Sequence, residues 1–78
     1  MMAAMMAEAD AVVVETRSLD VHGVGYVDIT VAYRDRTVET ARLGSESVPV
    51  DLRPGEDVVV AKAVNMIVSL RRPTDAPA

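Results

Sequence analysis

From residue 26 to residue 33 the chain alternates without a break. Val27, Ile29, Val31 and Tyr33 fall on one side of an extended backbone, while Asp28 and Thr30 fall on the other. A helix would scatter these side chains around its circumference, so the period selects a strand with one buried face. The same period returns in shorter segments, separated by residues that favour reversals, and this repetition limits the fold more than any other feature of the chain.

Residues 11–17 form the first such segment. Leu19, Asp20, Val21, His22, Gly23, Val24 and Gly25 follow, and the two glycines mark a turn or bulge that leads into the strand at 26–33. Arg34, Asp35 and Arg36 make a polar reversal. Residues 37–43 then read as a third strand of mixed faces, with Val38, Thr40 and Arg42 on one side and Glu39, Ala41 and Leu43 on the other. A short apolar stretch at 48–52 contains Pro49, which confines any strand there to an edge because proline donates no ladder hydrogen bond. Pro54-Gly55 is a turn signal with a mechanism, proline fixing one φ and glycine supplying a positive one. Residues 57–63 form a further strand, Val64-Asn65 a reversal and 66–71 a last strand, with Met66, Val68 and Leu70 inward. The expected core is Val27, Ile29, Val31, Val58, Val60, Val68 and Leu70.

Composition agrees with this pattern. Fifteen of 78 residues are Val, with no Phe, Trp or Cys, so the core must be built from branched aliphatics that suit pleated strands. Segments this short leave no room for a crossover helix. The expected fold is all-β, a small antiparallel OB-like barrel of five or six strands, whose closure would remove exposed edges. Residues 1–9, rich in Met and Ala, read as a flexible leader, residues 10–72 as one domain, and residues 73–78 as a disordered tail. The leader's thioethers would suit adaptable apolar contacts with a partner.

Charge and chemistry exclude more than they name. Eight basic and twelve acidic side chains give a net charge of −4, the wrong sign for a protein that neutralises phosphates. The aromatics amount to Tyr26 and Tyr33, too few for a stacking platform on single-stranded nucleic acid. One His and no Cys leave no multi-ligand metal site and no nucleophile with its base and orienting group, so neither catalysis nor a cofactor is expected. Near His22 stands only Asp20, and His22 reads as a loop residue. Glu56 and Asp57, adjacent on a strand, point to opposite faces and cannot act as a pair. Residues 1–11 lack a basic start and a long apolar run, so neither a signal peptide nor membrane insertion is expected. A cytoplasmic location follows as the default, and the preference for Arg over Lys with abundant Ala and Val suits a bacterial genome.

A family resemblance enters from Ala41 onward. Ala41, Leu43, Glu46 and Ser47 fit an Ala-x-Ile/Leu-x-x-Glu-Ser stretch; Leu52, Pro54, Gly55 and Val58 fit a Leu-x-Pro-Gly-x-x-Val turn; and Lys62 with Ala63 fits a Lys-Ala-Ser strand end. In these elements the C-terminal half resembles the TOBE and molybdate-binding Mop-type domains. The family's N-terminal segment has no counterpart in residues 11–18, and Val64 stands where its final hydroxyl falls. The resemblance implies a small OB-like barrel that binds an oxyanion or serves as an accessory module. Any such ligand would be held near Ser45, Ser47 and Lys62. The alternative is a structural or assembly subunit that binds a protein partner, or forms a homo-oligomer, through sheet edges or the N-terminal segment. Oligomerisation has a physical motive, because a chain of this length buries only about 60% of its unfolded surface.

Overall fold

In the computed structural model, which describes residues 6–73, the chain is all-β: five antiparallel strands form one sheet. They are β1 (Met6–Val21), β2 (Val24–Tyr33), β3 (Val38–Gly44), β4 (Asp57–Ala63) and β5 (Met66–Arg71), and their order across the sheet is β3-β2-β1-β4-β5. The long β1 is shared. Its C-terminal part pairs with β2 from Ala11↔Tyr33 to Val21↔Val24, and its N-terminal part pairs with β4 from Met6↔Ala63 to Val12↔Asp57. The two outer strands, β3 and β5, run in the same direction and touch, but no ladder joins them. The sheet is therefore curled around its core without being closed into a barrel by hydrogen bonds, and both outer strands keep an edge that full closure would have removed.

Each reversal has a local cause. Val21 and Val24 are joined by His22 and Gly23, both at positive φ (53° and 82°), the requirement of a two-residue hairpin turn whose twist matches the strands. The Gly23 N–H donates to Asp20 Oδ1 at 2.9 Å, so Asp20, near the end of β1, caps the turn that holds His22. Gly55 supplies a positive φ of 92° after Pro54, as the sequence predicts. Val64, at φ 59°, occupies the left-handed region in the β4–β5 turn, an uncommon place for a β-branched side chain.

The core is aliphatic throughout, with no polar or charged residue buried among those described. Ala11, Val13, Ile29, Val31, Leu43, Val58, Val60, Ile67 and Leu70 converge on it from the strands, and Val48 and Leu52 from the β3–β4 connection. Val27 packs against this cluster half-buried. Two expectations need correction. No strand forms at 48–52. Instead a single 3₁₀ turn (Ser45–Ser47) leads into a loop that crosses one end of the curled sheet, with Asp51 at φ 56°, and Val48 and Leu52 plug that end. Proline's missing N–H is accommodated there without a ladder.

The second correction concerns β5. Val68 is 38% exposed and Met66 69% exposed, whereas Ile67 is buried beside Leu70. The pairing steps from Ala61↔Ser69 to Lys62↔Ile67, leaving Val68 as the extra residue of a β-bulge. That insertion breaks the period of two, so residues three apart face the same way. A matching bulge in β1 leaves Val14 without a partner between Val13↔Val31 and Glu15↔Thr30.

The boundary expected at residue 10 falls inside β1, since residues 6–9 already pair with β4. The remainder of the leader, residues 1–5, and residues 74–78 of the tail lie outside the described residues. Among the described residues, no helix is long and apolar enough to cross a membrane.

Candidate functional site at the mouth of the sheet

At the end of the curled sheet opposite the Val48–Leu52 plug, three inward-facing polar side chains from three strands meet. Tyr33 ends the apolar face of β2, Glu39 stands in phase with Ala41 and Leu43 on β3, and Lys62 in phase with Val58 and Val60 on β4. The Tyr33 hydroxyl donates to Glu39 Oε1 at 2.7 Å, and Lys62 Nζ donates to the same oxygen at 3.0 Å. Lys62 Nζ also lies 5.5 Å from the centre of the Tyr33 ring, within reach of a cation–π attraction. The cluster bridges β3 to β4 where the backbone provides no bond between β3 and β5, so it fastens one end of the open seam.

Electrostatics follow from these contacts. The Tyr33 hydrogen bond, reinforced by Lys62, holds the Glu39 carboxyl below its usual range, against the opposing effect of partial burial. Burial first, and then the bond to Glu39, pushes the Tyr33 phenol well above its ordinary value of 10.0. Glu39 thus contributes stability at pH values above the unfolded carboxylate value of 4.5, and this is lost as pH falls through its depressed folded value. Tyr33 contributes below pH 10.0, and its share is lost as pH rises from there toward its raised folded value. The melting temperature is expected to be level between about pH 6 and 9 and to fall on both sides. Tyr33→Phe should remove the alkaline fall and cost about 1 kcal/mol at neutral pH, below the usual range for a hydrogen bond to a charged acceptor because the group is partly exposed. Thermal melts of the two proteins from pH 3 to 11 check this.

The sequence-predicted ligand residues do not come together. Lys62 lies at this mouth, held by Glu39. Ser45 and Ser47 lie beyond the other end of β3, in the 3₁₀ turn. Ser45 lies six steps along the chain from Glu39, roughly 20 Å at about 3.3 Å per residue. Ser45 rests against Gly25, where an added Cβ would stand 3.2 Å from the Ser45 Oγ, and it borders a groove with Thr16, Ser18 and Val27. Ser47 borders a separate depression with Ser69 and Arg71. Sequence reasoning missed Tyr33 and Glu39 as partners of Lys62: a carboxylate in phase with Ala41 and Leu43 signals a need for a cation, but seven Arg as well as Lys62 could supply it, and strand order selects Lys62.

Beside the cluster a groove of about 690 Å³ opens, bordered by Ala9, Asp10, Arg34, Asp35 and Thr37 as well as Tyr33, Glu39 and Lys62. One of its walls is the free edge of β1. Pairing with β2 stops at Ala11↔Tyr33, where the chain turns away through Arg34 and Asp35, while β1 continues back to Met6, bonded among the described residues to β4 alone. Asp35 accepts hydrogen bonds from the Thr37 N–H and hydroxyl, which hold its carboxyl below the usual range and fix the turn away from β1. Among the described residues no group of three or more His, Cys, Asp or Glu is placed to hold a metal ion. No protein-family model matches the chain, and no curated protein or solved structure matches it significantly.

Proposed function

We propose that the chain is a non-catalytic β-module that associates with another polypeptide through a sheet edge. The observation that carries this reading is the edge of β1 at residues 6–10, an extended backbone that, among the described residues, pairs on one side only and is bordered by an open groove. Unpaired strand edges are templates for strand addition, and natural proteins that keep one exposed either protect it or use it. Residues 6–10 carry no proline and no bulge, and among the described residues no strand covers their open side. An accessory role of the TOBE-like kind is compatible with such an edge. Oxyanion binding at Ser45, Ser47 and Lys62 finds less support, because the ammonium is already matched by Glu39 and lies at the far end of β3 from both hydroxyls.

Photo-crosslinking in the cell of origin tests the reading. A photoreactive side chain at position 8 should give a discrete crosslinked species, and one at Arg42, on the outer face of β3 and bound to Asp28, should not. Absence of any product at position 8, or the same products at both positions, would sink the association role. A small anion retained on the purified protein in native mass spectrometry, and lost in Lys62→Ala, would restore the oxyanion reading in its place.

A further inference from the structure

Resting on that reading, we infer that the occupant of the β1 edge is an extended segment of another protein bearing basic side chains at alternate positions, which takes up the line of β2 beyond Tyr33. Backbone polarity, space and charge each support this. Val13 exchanges hydrogen bonds with the turn before β4, its N–H donating to the Glu56 carbonyl and its carbonyl accepting from Gly55. Alternation along a strand therefore turns Ala11, Ala9 and Ala7 toward β4, and turns the N–H and carbonyl groups of Asp10 and Glu8 toward the open side. These are the groups an added strand would bond.

The side chains that β1 sends inward along this stretch are Ala7 and Ala9, which leave the groove unfilled. On the outer face the same stretch presents Glu8 and Asp10, two residues apart. A strand laid alongside places alternate residues opposite them, and opposite charges in that position are favourable. The chain already matches both acids: Arg71 on β5 reaches Glu8 at 3.3 Å, and Arg34, the first residue past the end of β2, reaches Asp10 at 3.5 Å, with the Arg34 side chain 87% exposed. So loose a pair is readily exchanged for an incoming Lys or Arg. A second copy of the chain fits less well, because two such edges paired antiparallel would bring Glu8 and Asp10 of one copy against those of the other.

The test uses the full chain, labelled with ¹⁵N, and an acetylated peptide of alternating Thr and Lys. At about millimolar peptide, amide shifts should appear at residues 6–10 and around Tyr33 and Arg34, with slowed hydrogen exchange at the Glu8 and Asp10 N–H groups. The Thr-Glu counterpart should leave the spectrum unchanged. The double substitution Glu8→Lys with Asp10→Lys, both exposed sites, should weaken the Thr-Lys peptide about tenfold, as two favourable cross-strand pairs become unfavourable. No shift with the Thr-Lys peptide, or an equal response to Thr-Glu, overturns the basic occupant. Shifts confined to β3 or β5 overturn the site. A dimer that protects the Glu8 and Asp10 amides without peptide overturns the inference while sustaining association through the edge, whereas failure of that broader reading appears independently in the crosslinking.

Discussion

Truncation of Ile29 to Ala is expected to lower the stability of the domain by about 2–5 kcal/mol. Ile29 has no exposed surface; it sits in the middle of β2 between Thr16 on β1 and Ala41 on β3. Its neighbours are short or branched side chains on the two strands laddered to either side of β2, so they have little freedom to collapse into the space left behind. The cost therefore includes a cavity as well as the lost transfer energy. Small domains have only about 5–15 kcal/mol in all, and each kcal/mol moves the melting temperature of a domain this size by about 4–8 °C. A fall of at least about 10 °C in a calorimetric scan is the expected result, against about 0.5–1.5 kcal/mol for Ile29→Val. A melting temperature unmoved by Ile29→Ala would mean that the faces of β2 are reversed.

The second large effect is a contrast between neighbours. Ile67→Ala should cost about 2–4 kcal/mol, whereas Val68→Ala, one residue along, should stay within about 0.5–1 kcal/mol. Alternation alone predicts the opposite order, since it turns Met66, Val68 and Leu70 inward. The bulge at Val68 returns Ile67 to the core beside Leu70 and leaves Val68 facing outward. Urea unfolding of both variants decides the matter, because an exposed truncation leaves the midpoint nearly fixed and a buried one shifts it. Equal losses would show that β5 carries no bulge.

This contrast marks where the sequence could be read and where it could not. The faces of β2 and β3, the reversals at Arg34 to Arg36, at Pro54-Gly55 and at Val64-Asn65, and the all-β class were legible because each rests on local chemistry: period two, a fixed proline φ, a glycine with positive φ. The bulges at Val14 and Val68 were not, since an inserted residue is specified by the partner strand's register and by closure of the core, neither of which a single segment reveals. Residues 48–52 misled for a related reason. An apolar stretch around a proline looks the same whether its side chains come from an edge strand or from a plug. At the mouth, the resemblance groups Lys62 with Ser45 and Ser47, which the fold keeps apart. The pairing with Glu39 depends on strand order, which places the start of β3 across the seam from the end of β4. The free edge of β1 was out of reach altogether, because it arises from β1 outrunning β2, a difference in length that appears only once both partners are aligned.

The position of β1 at the centre of the sheet also sets an order of events in folding. Its hairpin with β2 closes through two residues and can form early, as can the β2–β3 hairpin, since both are local. The pairing of residue 6 with residue 63 cannot. It must wait until the chain has been made through residue 63, and it carries the loop-closure cost of everything between. Folding should therefore be governed by the docking of the β4–β5 hairpin onto a preformed three-stranded meander, on the slow, millisecond-to-second side for so short a chain. During synthesis the acidic strand end at residues 6–10 is the last part of the sheet to find its place, although it leaves the ribosome before every other strand.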